Sequence, residues 1–328
     1  MNRLGLYLRW GGGRNRANDL ADALGTRLVS FGWKTKNPVL VPLRYAVQFA
    51  QTFDTLSKNE PDVVVTQHTQ PFCSLAAVFY TKLFGGVVVT DCHNGPFVDT
   101  PWTRWPLNVI NRYVYKSATI NLVHNEGMRG FAEAQQSQLG SFRVLHDPVP
   151  DLQTEGVNTV ADQVIAICSF HHDEPIDALL AGAALAPEIS FRITGDTRRL
   201  SAAQLAKKPA NVEFTGFLAD ADYDALLQCS TAAIALSTRD NLLMRACQEA
   251  IGAGVPFITS DGPVARDYLT QGAVFVDNSP QSIADGARRA VAEGETLRLE
   301  LAELREQLRV RWLASIAKLK ADLGLSEG

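Results

Sequence analysis

Between Thr231 and Asp261 the chain reads as strand, loop, helix, tight turn and strand, and this unit restricts the fold more than any other stretch. Thr231 to Leu236 is a short apolar run of strand length, and Val255 to Thr259 is a second. The interval between them predicts a helix beginning near Asp240, capped by Asp240 or Asn241 and ended by Gly254, with Pro256 opening the next strand. The free N–H groups and positive dipole end of such a helix face the C-terminal edge of the sheet, where an anionic diphosphate sits well.

The same alternation runs through the whole chain and predicts two parallel-sheet units. In the first half it gives strands at Leu4–Leu8, Asp62–Thr66, Val87–Thr90 and Thr119–Val123, with helices at Ala17–Leu24 and Ser74–Leu83. In the second half the strands are Val164–Ser169, Ile189–Thr194, Val212–Thr215, Ala232–Leu236, Val255–Ser260 and Val274–Val276. His146 to Asn158 is polar, proline-containing and aperiodic, so it reads as the linker between a domain over 1–150 and one over 151–305. A long amphipathic helix from about Leu297 to Leu323 carries leucines along one face, which suits packing within the chain and also a coiled-coil dimer. Ligands of open α/β sheets bind at the carboxyl ends of the strands.

A chain of 328 residues is long enough for two cores. Cys73, Cys92, Cys168, Cys229 and Cys247 form no C-x-x-C pair and mostly sit in apolar runs, as core residues of a reducing compartment do. The opening residues suit a first strand and not a signal peptide. The longest apolar zone, Ser74 to Thr90, is broken by Lys82, Gly85 and Gly86, so it reads as helix and strand and not as a membrane span. Charge is uneven: residues 1–150 hold 15 Lys and Arg against 10 Asp and Glu, and the remainder holds 16 against 25. A basic first half suits an anionic acceptor or a phospholipid surface, and equally ordinary solvation.

Four further segments bear on chemistry. The loop Gly11-Gly12-Gly13-Arg14-Asn15-Arg16 follows a strand and precedes a helix but lacks both G-x-G-x-x-G and Gly-Lys-Ser/Thr, so nicotinamide and ATP readings lose support. Gly12 and Gly13 let backbone approach a ligand closely, and Arg14 and Arg16 are candidates to hold an anion there. At Asp91-Cys92-His93-Asn94 a buried strand ends in polar groups: His93 is suited to hydrogen-bond a sugar hydroxyl or move a proton, with Asp91 orienting the imidazole or acting as a base. His171-His172-Asp173-Glu174 lacks metal-ligand spacing, since adjacent histidines on a strand point to opposite faces, so no metal is expected. Finally, Phe97 to Lys116 mixes aromatics with cations, as interfacial helices do and as helices packing Trp and Tyr into a core also do.

The Glu249-Ala-x-x-x-Gly-x-Pro pattern closed by Gly254 and Pro256 resembles the donor-binding segment of GT-B glycosyltransferases, in particular the retaining family 4 type with its E-x7-E signature. The resemblance implies an α/β GT-B fold: two Rossmann-like domains with a cleft between them, the second binding the nucleotide sugar, and a C-terminal crossover helix over 306–328 that packs back on the first domain. It implies a metal-independent hexosyl transfer from a UDP- or GDP-type sugar to a glycan, lipid-linked or small-molecule acceptor, with no further cofactor and no nucleic-acid partner. Carried residue by residue, Glu249 holds the ribose, and Asn241, where the family has its first glutamate, holds the sugar or phosphate together with Asp240. Gly216 and Phe217 line the base pocket, and His93 faces the reacting sugar. Where the family carries an arginine and a lysine to meet the diphosphate, this chain has His171 to Glu174, leaving that charge to Arg239, Arg245, Arg198 or helix N–H groups. The expected setting is cytoplasmic, with peripheral contact at the inner membrane face through the first domain and a role in envelope or polysaccharide synthesis. The departures at Asn241 and His171 also suit a catalytically silent GT-B-like binding partner, and a sugar-nucleotide 2-epimerase shares the same nucleotide pocket.

Overall fold

The computed structural model describes residues 3–11, 16–33, 37–69, 71–93, 104–135, 141–152, 158–240 and 242–325. The chain divides into two compact units, Met1–Asp147 with Arg311–Gly328 and Pro148–Val310.

The first unit is a six-stranded parallel sheet of β1 (Gly5–Trp10), β2 (Arg27–Phe31), β3 (Val63–His68), β4 (Val87–Cys92), β5 (Ile120–Val123) and β6 (Phe142–Val144), in the order β2-β1-β3-β4-β5-β6. Its helices are α1 (Arg16–Leu24), α2 (Val41–Asn59), α3 (Pro71–Phe84), α4 (Arg104–Ser117) and α5 (Glu126–Gln135). The continuous Val runs of β3 and β4 follow from burial on both faces of the sheet, where no polar alternation is needed. Tyr7, Val65, Val89 and Leu122 face α1 and the end of the last helix, through Leu20, Leu24, Ile316 and Leu319. Leu6, Leu8, Val64 and Val88 face the opposite layer, through Leu56, Cys73, Ala77 and Val114 of α2, α3 and α4. Each such aliphatic side chain withdrawn from water stabilises the fold by about 1.5–3 kcal/mol.

The second unit has β7 (Val160–Ala166), β8 (Ser190–Thr194), β9 (Val212–Gly216), β10 (Ser230–Ala235), β11 (Phe257–Ser260) and β12 (Ala273–Val276), all parallel, in the order β12-β11-β10-β7-β8-β9. Between them run α6 (Ile176–Leu185), α7 (Ala202–Ala206), α8 (Asp220–Cys229), α9 (Arg245–Gly252), α10 (Pro263–Tyr268) and α11 (Pro280–Ala292), and α12 (Gly294–Leu323) follows. Residues of α6 and α11 pack on one face, and those of α8, α9 and the first half of α12 on the other. The leucine row of α12 is shared out: Leu301, Leu304 and Leu308 belong to the second core, and Leu319 and Leu323 to the first. The two Rossmann-like parallel sheets are the GT-B plan expected from the sequence. In each sheet the strand order reverses once, between β1 and β3 and between β7 and β10, and such reversals open the crevice where α/β proteins bind ligands.

The helix after β10 corrects one expectation. It begins at Arg245, with Met244 as its N-cap and no side-chain cap bond, several residues later than Asp240. Leu243 and Met244 are packed against the core and Met244 is extended, so the helix starts only after them. Asp240 lies exposed in the preceding turn and caps nothing, and Asn241 lies outside the described residues.

Candidate active site

The carboxyl edge of the first sheet gathers a buried charge cluster. Asp91, at the end of β4, is fully buried, with Oδ1 accepting from Arg16 Nε at 2.8 Å and Oδ2 from the Tyr7 hydroxyl at 2.8 Å. Arg16 continues to Asp147, its Nη1 lying 2.5 Å from Oδ1. Burial alone would raise the Asp91 carboxyl, but the guanidinium, helped by His93 and His124, holds it well below the usual carboxylate range. Burial, reinforced by Asp91, pushes the Tyr7 phenol well up. Asp91 is therefore a fixed anion and a poor proton acceptor, which favours the orienting role over that of a base.

Two imidazoles border this anion. His93, just past β4, has Nε2 3.7 Å from Asp91 Oδ2 and 3.3 Å from Gln67 Nε2. His124 follows β5 in the same way, and its ring meets that of His93 edge-on at a centroid distance of 4.7 Å. Burial and then Arg16 lower the His124 imidazole to about 4, so it is neutral at pH 7. Asp91, His93 and His124 offer ligand atoms within 4.8 Å of one another. The guanidinium already bound to Asp91 makes that group a poor cation site. Sequence reading missed His124 although it obeys the rule that found His93, a polar residue closing a buried strand. It assigned Arg16 to an anion in the glycine loop; the structure instead buries Arg16 as the first residue of α1, bound to two carboxylates. Gly12, Gly13 and Arg14 lie outside the described residues.

The carboxyl edge of the second sheet is wetter. After β7 the chain turns at Phe170, whose φ is +54°, and the Glu174 carboxylate folds back to accept from Ser169 N at 3.0 Å, Phe170 N at 2.9 Å and Ser169 Oγ. An internal carboxylate thus holds these backbone donors. Gly195, at the end of β8, sits against this turn: a β-carbon there would come within 2.5 Å of the Cys168 carbonyl. Across the reversal, Asp173 accepts from Ser237 Oγ at 3.0 Å and from His171 Nδ1, with Arg239 Nε at 3.5 Å. Burial would raise Asp173, but the bonds from His171 and Ser237 and the charge of Arg239 bring it below its ordinary value. Residues 171–174 form a turn and not a strand, so the argument from opposite faces fails: the His171 and His172 rings lie 4.2 Å apart. Their nitrogens are engaged locally, His171 with Asp173 and His172 Nε2 with Arg239 Nη2 at 3.2 Å.

Glu249 lies in the second turn of α9, where its Oε2 accepts from the Tyr223 hydroxyl of α8 at 2.6 Å and Oε1 stands 3.7 Å from Arg245 Nε. Burial and then Glu249 raise the Tyr223 phenol, so it stays a donor. Gly216 ends β9 with φ +74°, and Phe217 beside it is 85 % exposed, a large ring left in solvent at a strand end. The edge arginines are answered by carboxylates: Arg239 by Asp173, Arg245 by Glu249, and Arg198 by a two-bond clamp on Asp196. The structure thus places Glu249, Arg245, Arg239, Asp240, Gly216 and Phe217 on one unit and Asp91 and His93 on the other. Tyr223 was not legible, because a tyrosine after two aspartates in a helix carries no signal of its partner.

Residues 162–309 match the model of the family described as glycosyl transferases group 1. No curated protein matches the chain. Among solved structures, sucrose-phosphate synthase from Thermosynechococcus elongatus is similar over 98% of this chain and 99% of that one, at 14% identity and a TM-score of 0.76. A glycosyltransferase from Rickettsia africae is similar over the full length of both chains at 10% identity and a TM-score of 0.71. Anabaena HepE, in complex with UDP and glucose, is similar over 98% of each chain at 12% identity and a TM-score of 0.68. Among the described residues no helix is long and apolar enough to cross a membrane. Residues 162–309 thus match a glycosyl transferases group 1 domain, and the two parallel-sheet units share the GT-B fold of these solved structures.

Proposed function

We propose that the chain transfers a hexose from a UDP- or GDP-type sugar to a glycan, lipid-linked or small-molecule acceptor, without a metal ion and with retention at the anomeric carbon. The observation that carries this reading is the Glu249–Tyr223 pair at the carboxyl edge of the second sheet, on the helices that follow β10 and β9. Tyr223 fixes one carboxylate oxygen, so the other is presented in one direction, as a ribose diol needs. Phe217 offers an exposed ring for the base beside the backbone of Gly216. Arg239 and Arg245 exchange their carboxylate partners for the diphosphate, and with the N–H groups that open α9 they meet the charge of the leaving group. The first unit serves the acceptor: His93 hydrogen-bonds a sugar hydroxyl, oriented by the fixed anion Asp91. The placing of Asn241 and of the Gly12-Gly13-Arg14 loop at donor and acceptor follows from the resemblance alone, and peripheral membrane contact through the first unit belongs to the same reading.

The test is turnover. Purified protein is incubated with UDP- and GDP-sugars and candidate acceptors, with and without a chelator, and the released diphosphate and the product anomer are measured. Acceptor-dependent release that survives the chelator supports the reading, and an inverted anomer removes the retaining assignment. A second reading, a silent nucleotide-sugar-binding partner, is favoured by the carboxylates that already hold the edge arginines; binding without turnover is its signature.

A further inference from the structure

We infer that the outer surface of α2, α3 and α4 is a docking face for an anionic lipid bilayer. This deepens the membrane contact in the proposed function, and rests on that reading only for the supposition that the acceptor side works near lipid. These three helices form the layer on one side of the first sheet. A surface helix ordinarily turns polar residues outward. Here the outward positions are Leu43, 53 % exposed, on α2; Phe79, Leu83 and Phe84 on α3, the last two 70 % and 65 % exposed; and Val109 and Tyr113 on α4, with Val109 58 % exposed. Rings link the helices across this face: Phe49 meets Phe79 at 6.2 Å and Phe79 meets Tyr113 at 6.1 Å. Single exposed apolar residues need no explanation, but a set contiguous across three helices marks an interaction surface.

The charges identify the occupant. α2, α3 and α4 hold one carboxylate, Asp54, paired with Lys58 at 2.7 Å, against Arg44, Lys58, Lys82, Arg112 and Lys116, while Glu60 and Asp62 lie beside the Phe84 end of the face. Lys82 donates to the Tyr113 hydroxyl at 3.0 Å and lies over its ring at 4.6 Å, and Arg112 and Lys116 are exposed. Apolar and aromatic side chains with an excess of cations, densest on α4, match the boundary between acyl chains and anionic head groups. A two-fold dimer through this face would set the excess cations of α4 in one copy against the same net positive face of the other. An acidic protein would match the charge but leaves the protruding Leu83 and Phe84 without a stated partner.

The experiment is vesicle co-sedimentation of the full chain with phosphatidylcholine alone and with an equal mixture of phosphatidylcholine and phosphatidylglycerol. Three proteins are compared: wild type, Arg112→Glu with Lys116→Glu, and Leu83→Gln with Phe84→Gln. These side chains are exposed, and thermal melting confirms that each variant folds. Wild type is expected to sediment with the anionic vesicles and to be released by high salt, and each variant to partition at least about tenfold more weakly. Equal partition of wild type to both vesicles, no partition to either, or a wild-type dimer that the Leu83 variant dissociates would overturn the proposal. UDP binding, measured on the same samples, tests the glycosyltransferase reading separately: intact UDP binding with no vesicle partition removes the lipid face alone.

Discussion

The carboxyl edges of the two sheets carry similar charged groups in opposite states. In the first unit Arg16, Asp91 and Asp147 form a chain of ion pairs with Arg16 and Asp91 almost wholly withdrawn from water. In the second, Arg239–Asp173, Arg245–Glu249 and Arg198–Asp196 each keep at least one partner more than a quarter exposed. A buried pair cannot exchange partners without leaving an uncompensated charge, whereas an exposed pair is worth little and gives way to a ligand. The first edge is thus a rigid anion beside His93, and the second is a set of replaceable contacts, as the proposed diphosphate site requires.

The largest effect is expected from breaking the buried pair. Arg16→Ala or Asp91→Asn should destabilise the protein by about 3–5 kcal/mol, the cost of leaving one partner charged and buried. Denaturant unfolding measures this, and Arg198→Ala, which removes an exposed pair, is the control expected to change little. A loss below about 1 kcal/mol for Asp91→Asn would erase the contrast between the edges.

Acid should then separate the units. His68 is buried between Ser74 and Asn111, and burial lowers its imidazole to about 4, as it lowers that of His124. Both folded values lie below the ordinary 6.5, so the unfolded chain binds protons first. Their contribution is complete above pH 6.5 and is lost as pH falls toward 4, on the order of 3 kcal/mol for the fully buried His68. The depressed carboxylates of the second unit, Asp173 among them, begin to cost only below their ordinary value of 3.8. Hydrogen exchange between pH 6.5 and 4.5 should therefore loosen β3–β5 while β7–β10 stay protected.

The smallest effects lie at the exchangeable edge. Glu249→Ala should weaken nucleoside diphosphate binding roughly ten- to a hundredfold, a ribose contact being a charge-assisted hydrogen bond of about 1.5–3 kcal/mol, with little change in melting. Glu174→Gln should act in the other sense. A neutral amide holds Ser169 N and Phe170 N less firmly, so inorganic pyrophosphate should bind a few-fold more tightly, on the scale of about 1 kcal/mol for a surface charge. Calorimetry reads both, and unchanged pyrophosphate affinity in Glu174→Gln would show that the carboxylate does not compete.

Legibility in the sequence followed the range of the forces. All six strands of the second sheet were readable, since each is an apolar run closed by polar or glycine residues, as at Thr194-Gly195 and Thr215-Gly216. β2 was missed because an edge strand such as Arg27–Phe31 is half exposed and lacks a buried run, and α2 because Pro42 and its aromatic residues mask the helical period. Glu249 and His93 were singled out from local pattern and from the family resemblance. Their settings were not, since the Arg16–Asp91 pair spans 75 residues and the Tyr223–Glu249 pair joins two helices across 26. The Asp240 cap failed because capping preference is worth only about 1 kcal/mol and the burial of Leu243 and Met244 outweighed it.

The central claim, a nucleotide-sugar site built on Glu249 in the second unit, is met most directly by a thermal-shift titration of wild type and Glu249→Ala with UDP-, GDP-, dTDP-, ADP- and CDP-sugars. A ligand that binds only the folded state must raise its melting temperature. The account predicts that one nucleotide class stabilises wild type and loses that effect in Glu249→Ala. Equal stabilisation of both proteins, or of neither by any nucleotide sugar, would contradict it.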